Sequence, residues 1–157
     1  MDIGEQEARR ADNQIWNAAG IYGFATGSRG YEPNGEASLY FNTAIGLVRQ
    51  HAEQWNILPD KIALCGFSAG GHLALSGAVW EIPGMADQPR PNALLLAYPV
   101  VTAGEYAHRD SFVQLTGTQD VAAHQRFTLE DKITPATPPV FVWHTMEDKT
   151  CLLYTSP

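Results

Sequence analysis

The chain alternates short apolar runs with segments whose apolar residues recur every three or four positions. The runs predict four strands, at residues 21–26, 61–65, 93–98 and 140–144. They lack period-two alternation, which is typical of parallel strands covered on both faces. We therefore predict an α/β fold, in which a mostly parallel sheet is connected by crossover helices.

The helical segments lie before and between these strands. They are predicted at residues 5–19, 39–55, 71–78 and 121–127. The second is the clearest, because its apolar side chains fall on one face. Residues 27–36 are rich in Gly, Ser, Asn and Pro and indicate a loop.

Residues 66–70 read Gly-Phe-Ser-Ala-Gly, a Gly-x-Ser-x-Gly motif. The predicted strand before it and the small-residue helix after it give a strand, a sharp turn and a helix, the context of a nucleophile elbow. Gly66 and Gly70 are expected to leave room for a strained turn that exposes the Ser68 hydroxyl. Ser68 is therefore the candidate nucleophile of a serine acyl hydrolase.

Acidic residues follow the carboxyl end of the last predicted strand. Ser68 also follows a strand end, so both are expected at the same edge of the parallel sheet, which is where ligands bind. Asp148 is favoured as the triad acid by its loop position, and Glu147 is its nearest rival. The backbone N–H of Ala69, directly after the nucleophile, is the expected oxyanion donor.

The general base is harder to assign, because no histidine follows the candidate acid and five precede it. His72 lies four residues after Ser68, and a packing or helix-terminus role is favoured over a base. His144 is interpreted as orienting the acid loop or lining the pocket, and His108 either reaches the pocket or is a plain loop residue. His51 suits a contact with a helix terminus, and His124 is predicted to lie on the surface.

Composition and charge limit the kinds of partner that the chain is expected to bind. The 157 residues carry a net charge of −7 without any run of Lys or Arg, which argues against nucleic acid and anionic membranes. No apolar stretch is long enough to cross a bilayer. The acidic, polar residues 1–5 do not read as a signal peptide, and two cysteines make no disulfide framework. A cytoplasmic location and a buried Cys65 thiol are expected.

Three stretches, residues 55–74, 99–109 and 138–148, resemble the α/β-hydrolase esterases often labelled acetyl-xylan esterase or endo-xylanase-like. The resemblance implies an α/β-hydrolase fold, with Ser68 as nucleophile, Asp148 as acid and Ala69 as oxyanion donor. It further implies hydrolysis of a small-molecule ester, such as an acetylated saccharide, through an acyl-enzyme. No metal and no cofactor are implied.

The chain departs from that family at both ends. The family's Gly-rich oxyanion loop would precede Met1, and its catalytic His would follow Asp148. Residues 151–157 resemble a non-native tail. We therefore expect residues 1–150 to be a partial α/β-hydrolase domain. Since unpaired strand edges promote aggregation, the chain alone is expected to be poorly soluble or inactive.

Two other functions fit the same motif. A serine peptidase of the prolyl-oligopeptidase type shares the elbow and the triad order, and it would cleave aminoacyl amides instead of acetyl esters. A catalytically inactive binding module would bind sugar without forming an acyl-enzyme. The acyl group, the alcohol and the oligomeric state are left open, because a fold alone does not determine them.

Overall fold

The computed structural model describes residues 36–82 and 87–148, with side chains from residue 42 onward. The helix predicted at residues 5–19, the strand at 21–26, nearly all of the loop at 27–36 and the tail at 151–157 lie outside the described residues.

Three parallel strands in the order β1-β2-β3 form the sheet. The elements are α1 (Glu36–Gln50), β1 (Ala63–Phe67), α2 (Ala69–Val79), β2 (Ala93–Ala97), α3 (Arg109–Thr116), α4 (Val121–Gln125), a 3₁₀ helix (Glu130–Lys132) and β3 (Val140–Trp143). The predicted parallel α/β fold is confirmed. Over the described ranges, none of the helices has both the length and the apolar character needed to cross a membrane.

The sheet packs against α2 through one face. Leu94 and Leu96 of β2 are buried together with Leu75 and Ala78 of α2. Burial of each of these leucine side chains stabilises the fold by roughly 1.5–3 kcal/mol. This cluster holds α2 against one face of the sheet. It therefore also fixes the turn between β1 and α2.

The opposite face of the sheet is exposed, so the prediction that both faces are covered is wrong for the described strands. Cys65, Leu95 and Phe141 are aligned by the strand register and share this face, and all three are exposed. The prediction of a buried Cys65 is wrong for the same reason, because period two places it on the side away from α2. Partial desolvation still raises the pKa of its thiol.

A second core cluster forms around Phe112 of α3, with Val100, Ala103, Leu115 and Phe127. The sequence pattern missed α3, because Phe112 and Leu115 are its only buried residues and give too short a repeat. His124 stacks on Phe112 and is 1% exposed. The prediction that His124 lies on the surface is therefore wrong: the short α4 turns that ring inward.

Arg49, in the last turn of α1, connects this helix to the segments that lead into β1 and β2. Its guanidinium donates to the carbonyls of Pro59 at 3.1 Å and Arg90 at 2.6 Å, and to Oδ1 of Asn92 at 3.2 Å. The same oxygen of Asn92 accepts the N–H of Ile62 at 3.1 Å. A single side chain thus holds the starts of two neighbouring strands.

Replacing Arg49 by methionine is expected to lower the free energy of unfolding by about 2 kcal/mol, because hydrogen bonds from a charged group contribute more than neutral ones. Denaturant unfolding measures the change. Lys61→Met is the matched control, since Lys61 is exposed, and it is expected to stay within about 0.5 kcal/mol of the parent chain. Equal losses in the two variants would contradict the role given to Arg49.

Candidate active site

Ser68 lies in the single-residue turn between β1 and α2 and has a backbone conformation that side-chain-bearing residues rarely adopt, with φ 51° and ψ −120°. Its N–H donates to the carbonyl of Ala97 at 3.0 Å. Its carbonyl accepts the N–H groups of Gly71 at 3.0 Å, His72 at 3.3 Å and Val100 at 3.2 Å. Hydrogen bonds on both sides thus hold the strained turn, as expected for a nucleophile elbow.

The hydroxyl of Ser68 is not used to cap α2. Serine at this position usually accepts a hydrogen bond from the second or third N–H of the helix, but Ser68 makes no side-chain cap. Ala69 begins α2, and the first N–H groups of a helix have no partner within it. The turn therefore presents a half-buried hydroxyl next to a helix N-terminus, where partial positive charge favours a developing oxyanion.

The steric need for glycine falls on Gly66 and Gly71. A Cβ on Gly66 would overlap the carbonyl oxygen of Gly70, and a Cβ on Gly71 would lie 2.7 Å from Cβ of Pro99. A Cβ on Gly70 would meet no atom within 4 Å. The expectation that Gly66 and Gly70 together make room for the turn is therefore correct only for Gly66.

The strand ends bring three residues to one edge of the sheet. Phe67, Ala97 and Trp143 are register partners across the sheet, so Ser68, Tyr98 and His144 follow at the same level. Neighbouring strands are about 4.8 Å apart, which separates the backbones of Ser68 and His144 by roughly 10 Å. That spacing leaves room for an imidazole between a nucleophile on β1 and an acid loop after β3.

The loop after β3 turns Asp148 back toward the strand. The N–H of Asp148 donates to the carbonyl of Thr145 at 3.3 Å, and its Oδ2 lies 3.9 Å from Nε2 of His144. The two side chains are 17% and 2% exposed, respectively, whereas Glu147 is exposed. Of the two candidate acids, Asp148 is the one that the loop partly buries beside a histidine.

His72 packs into the core. Its Nε2 donates to the carbonyl of Phe127 at 2.8 Å, and its ring meets Phe112 edge-on with a centroid distance of 5.7 Å. It is 3% exposed. Burial lowers the pKa of His72 to about 4, with the hydrogen bond to Phe127 opposing the shift. Although the N–H of His72 reaches the Ser68 carbonyl, its ring is aimed at Phe127.

The other two histidines of the sequence analysis also make local contacts. His108 precedes α3, is half-buried, and has Nδ1 2.8 Å from Oγ of Ser111. His51 has Nδ1 2.9 Å from the carbonyl of Leu47 and stacks on Trp55. Contact with a carbonyl near the end of α1 is the helix-terminus role predicted for His51.

Sequence reasoning missed Tyr98 and Pro99 as parts of this site. Tyr98 has φ 38° and lies between the two groups that hold Ser68, the carbonyl of Ala97 and the N–H of Val100. The available signal was the Tyr-Pro pair that closes the apolar run of β2, because a proline at the end of a paired strand removes a donor from the ladder.

A family model described as BD-FAE matches residues 36–88, which include α1, β1 and α2. Two curated relatives carry enzyme names. Endo-1,4-beta-xylanase B of Butyrivibrio fibrisolvens is 38% identical over 113 residues, 67% of this chain and 18% of the relative. Acetylxylan esterase of Xylanibacter ruminicola is 37% identical over 75 residues, 46% of this chain and 15% of the relative.

Among solved structures, the acetyl ester-xyloside bifunctional hydrolase of Caldicellulosiruptor lactoaceticus is 34% identical with a TM-score of 0.64. The alignment covers 76% of this chain and 47% of that structure. The chain therefore spans less than a fifth of the curated relatives and about half of this solved structure. The residues matched by the family model contain β1 and the elbow that carries Ser68.

Proposed function

We propose that this chain, which resembles α/β-hydrolase esterases, acts as, or as part of, a serine carboxylic-ester hydrolase that works through an acyl-enzyme. One observation carries the proposal: Ser68 holds a strained turn with its hydroxyl unused by the helix that it precedes. A strained residue persists only where its surroundings enforce it, and such residues cluster at functional sites.

The geometry supports a division of roles at the sheet edge. Ser68 Oγ attacks the ester carbonyl, and its proton passes to a general base. The N–H of Ala69 donates to the oxyanion that forms, where one such donor contributes about 100-fold to 1,000-fold in rate. Asp148 orients the base and stabilises its protonated form. His144, buried 3.9 Å from Asp148, positions that carboxylate.

The similar proteins support one class of substrate. An acetylxylan esterase and an acetyl ester-xyloside hydrolase both resemble this chain, so we propose an acetylated saccharide as substrate, with acetate released from the acyl-enzyme by water. The peptidase alternative has no comparable support, because the reported relatives and the solved structure have glycoside or ester hydrolase names.

Intact mass measured after treatment with a fluorophosphonate tests the nucleophile. We expect one adduct on this chain and none on Ser68→Ala, because only an activated serine hydroxyl attacks the phosphorus. Such an adduct requires a base within the chain and would overturn the expectation from the sequence that the chain alone is inactive. Circular dichroism of both proteins establishes that they are folded. A folded chain that forms no adduct, or an adduct that persists in Ser68→Ala, would contradict the proposed role of Ser68.

The reaction class is tested with two kinds of substrate, given separately to the same protein: acetylated xylo-oligosaccharides and aminoacyl amides. Release of acetate that is lost in Ser68→Ala is the expected result. Cleavage of the amides without release of acetate would favour the peptidase.

A further inference from the structure

The end of β2 interrupts the regular hydrogen bonding beside the nucleophile. In a parallel pair of strands, the N–H and the carbonyl of one residue bond to two residues of the neighbouring strand. The first of these accepts through its carbonyl, and the second, two positions later, donates its N–H. The carbonyl of Ala97 accepts the N–H of Ser68 at 3.0 Å, so residue 99 should donate to the Ser68 carbonyl. Residue 99 is proline and has no N–H.

The missing donor is replaced by the next residue. The N–H of Val100 donates to the Ser68 carbonyl at 3.2 Å. On its other side, β2 stays regular through Tyr98, whose N–H donates to the carbonyl of Trp143 at 2.7 Å. The shift of one residue therefore occurs at Tyr98, and its φ of 38° is the backbone change that accomplishes it.

The conformation of Tyr98 is unfavourable on two counts. A bulky residue with positive φ is rare, and a residue before proline is normally extended. Pro99 is fully buried and packs closely against α2. A Cβ added to Gly71 would lie only 2.7 Å from the Cβ of Pro99. Close packing on α2 and the bond from Val100 to Ser68 together hold Tyr98 in this state.

The bond from Val100 acts on the proposed oxyanion donor. The carbonyl of Ser68 and the N–H of Ala69 belong to one planar peptide group, so fixing the carbonyl fixes the direction of that N–H. Gly71 and His72 hold the carbonyl from the helix side, and Val100 holds it from the strand side. A tilt of this plane would misdirect the donor even with Ser68 unchanged.

We propose that Tyr98 and Pro99 are positioning residues, whose strained step places the Val100 N–H on the Ser68 carbonyl and thereby aims the Ala69 N–H at the oxyanion. This inference rests on the proposed function of Ser68 as nucleophile. It assigns a role to a backbone conformation and requires no contact between the Tyr98 ring and substrate.

Tyr98→Asn and Tyr98→Val form a matched pair, because both remove the aromatic ring but only asparagine readily adopts positive φ. Two quantities are measured well below each unfolding midpoint: hydrogen exchange of the Val100 amide, and the rate of fluorophosphonate labelling per folded molecule. We expect Tyr98→Asn to stay within about threefold of the parent in both. Tyr98→Val is expected to exchange at Val100 at least tenfold faster and to label tenfold to 100-fold more slowly, approaching the loss of an oxyanion donor.

If Tyr98→Val does not fold, Pro99→Ala is the second variant that tests the positioning role. It restores an N–H at position 99, which should take over the Ser68 carbonyl and leave the Val100 amide unprotected. Equal protection of Val100 in the parent chain and in whichever of Tyr98→Val and Pro99→Ala folds would overturn the positioning role. A parent chain with a protected Val100 amide but no adduct at Ser68 would instead overturn the proposed function and leave the hydrogen-bond arrangement intact.

Discussion

Replacing Gly66 by alanine is expected to lower the free energy of unfolding by more than about 3 kcal/mol and to abolish labelling of Ser68. The added methyl group would overlap the carbonyl of Gly70 and lie 2.8 Å from Cα of Gly71. Overpacking usually costs about 1–3 kcal/mol, and more where the neighbours cannot move. Here the neighbours are backbone atoms in the first turn of α2, which hydrogen bonds to Ser68 hold in place.

Gly70→Ala is the matched control for this prediction, since it makes the same chemical change four residues further along. A Cβ at Gly70 meets open space, and alanine favours the helix by about 1 kcal/mol over glycine. We expect unchanged or slightly increased stability. Denaturant unfolding of both variants checks the comparison, and a loss at Gly70 as large as that at Gly66 would contradict the steric account.

How much of this site the sequence reveals depends on whether local pattern or tertiary contact determines each part. The apolar runs and the helical repeat of α1 and α2 are local, so they predict the parallel sheet and the position of Ser68. Strand bounds shift by up to two residues, as for β1, because the same apolar run suits several registers. Helix α1 ends at Gln50, and the turns that follow it close at Asn56, whose positive φ lets Ile57 donate to Ala52 at 2.8 Å.

The parts that sequence did not reveal are produced by contacts between distant segments. The strain at Tyr98 exists because Pro99 must pack on Gly71, 28 positions earlier in the chain, while β2 stays paired with β3. The burial of His124 arises because α4 closes over Phe112. Neither follows from a period of two or 3.6, since both residues lie at points where a regular repeat ends.

The stability of the fold is expected to fall by about 3 kcal/mol between pH 7 and pH 4 through His72 alone. Burial lowers its pKa from 6.5 to about 4 in the folded chain, so between these values the unfolded chain binds more protons. The loss therefore begins as the pH falls through 6.5 and levels off below pH 4, and between these values it is about 1.4 kcal/mol per pH unit. Above pH 7 His72 is neutral in both states and contributes no pH dependence.

His72→Gln isolates this contribution, because an amide N–H can still donate to the Phe127 carbonyl but does not titrate. Unfolding free energies at pH 7, 5.5 and 4.5 are compared for the two proteins, so that other titrating groups cancel in the difference. We expect the parent to lose about 2–3 kcal/mol more than the variant over this range. Parallel pH profiles would mean that His72 can be protonated without unfolding.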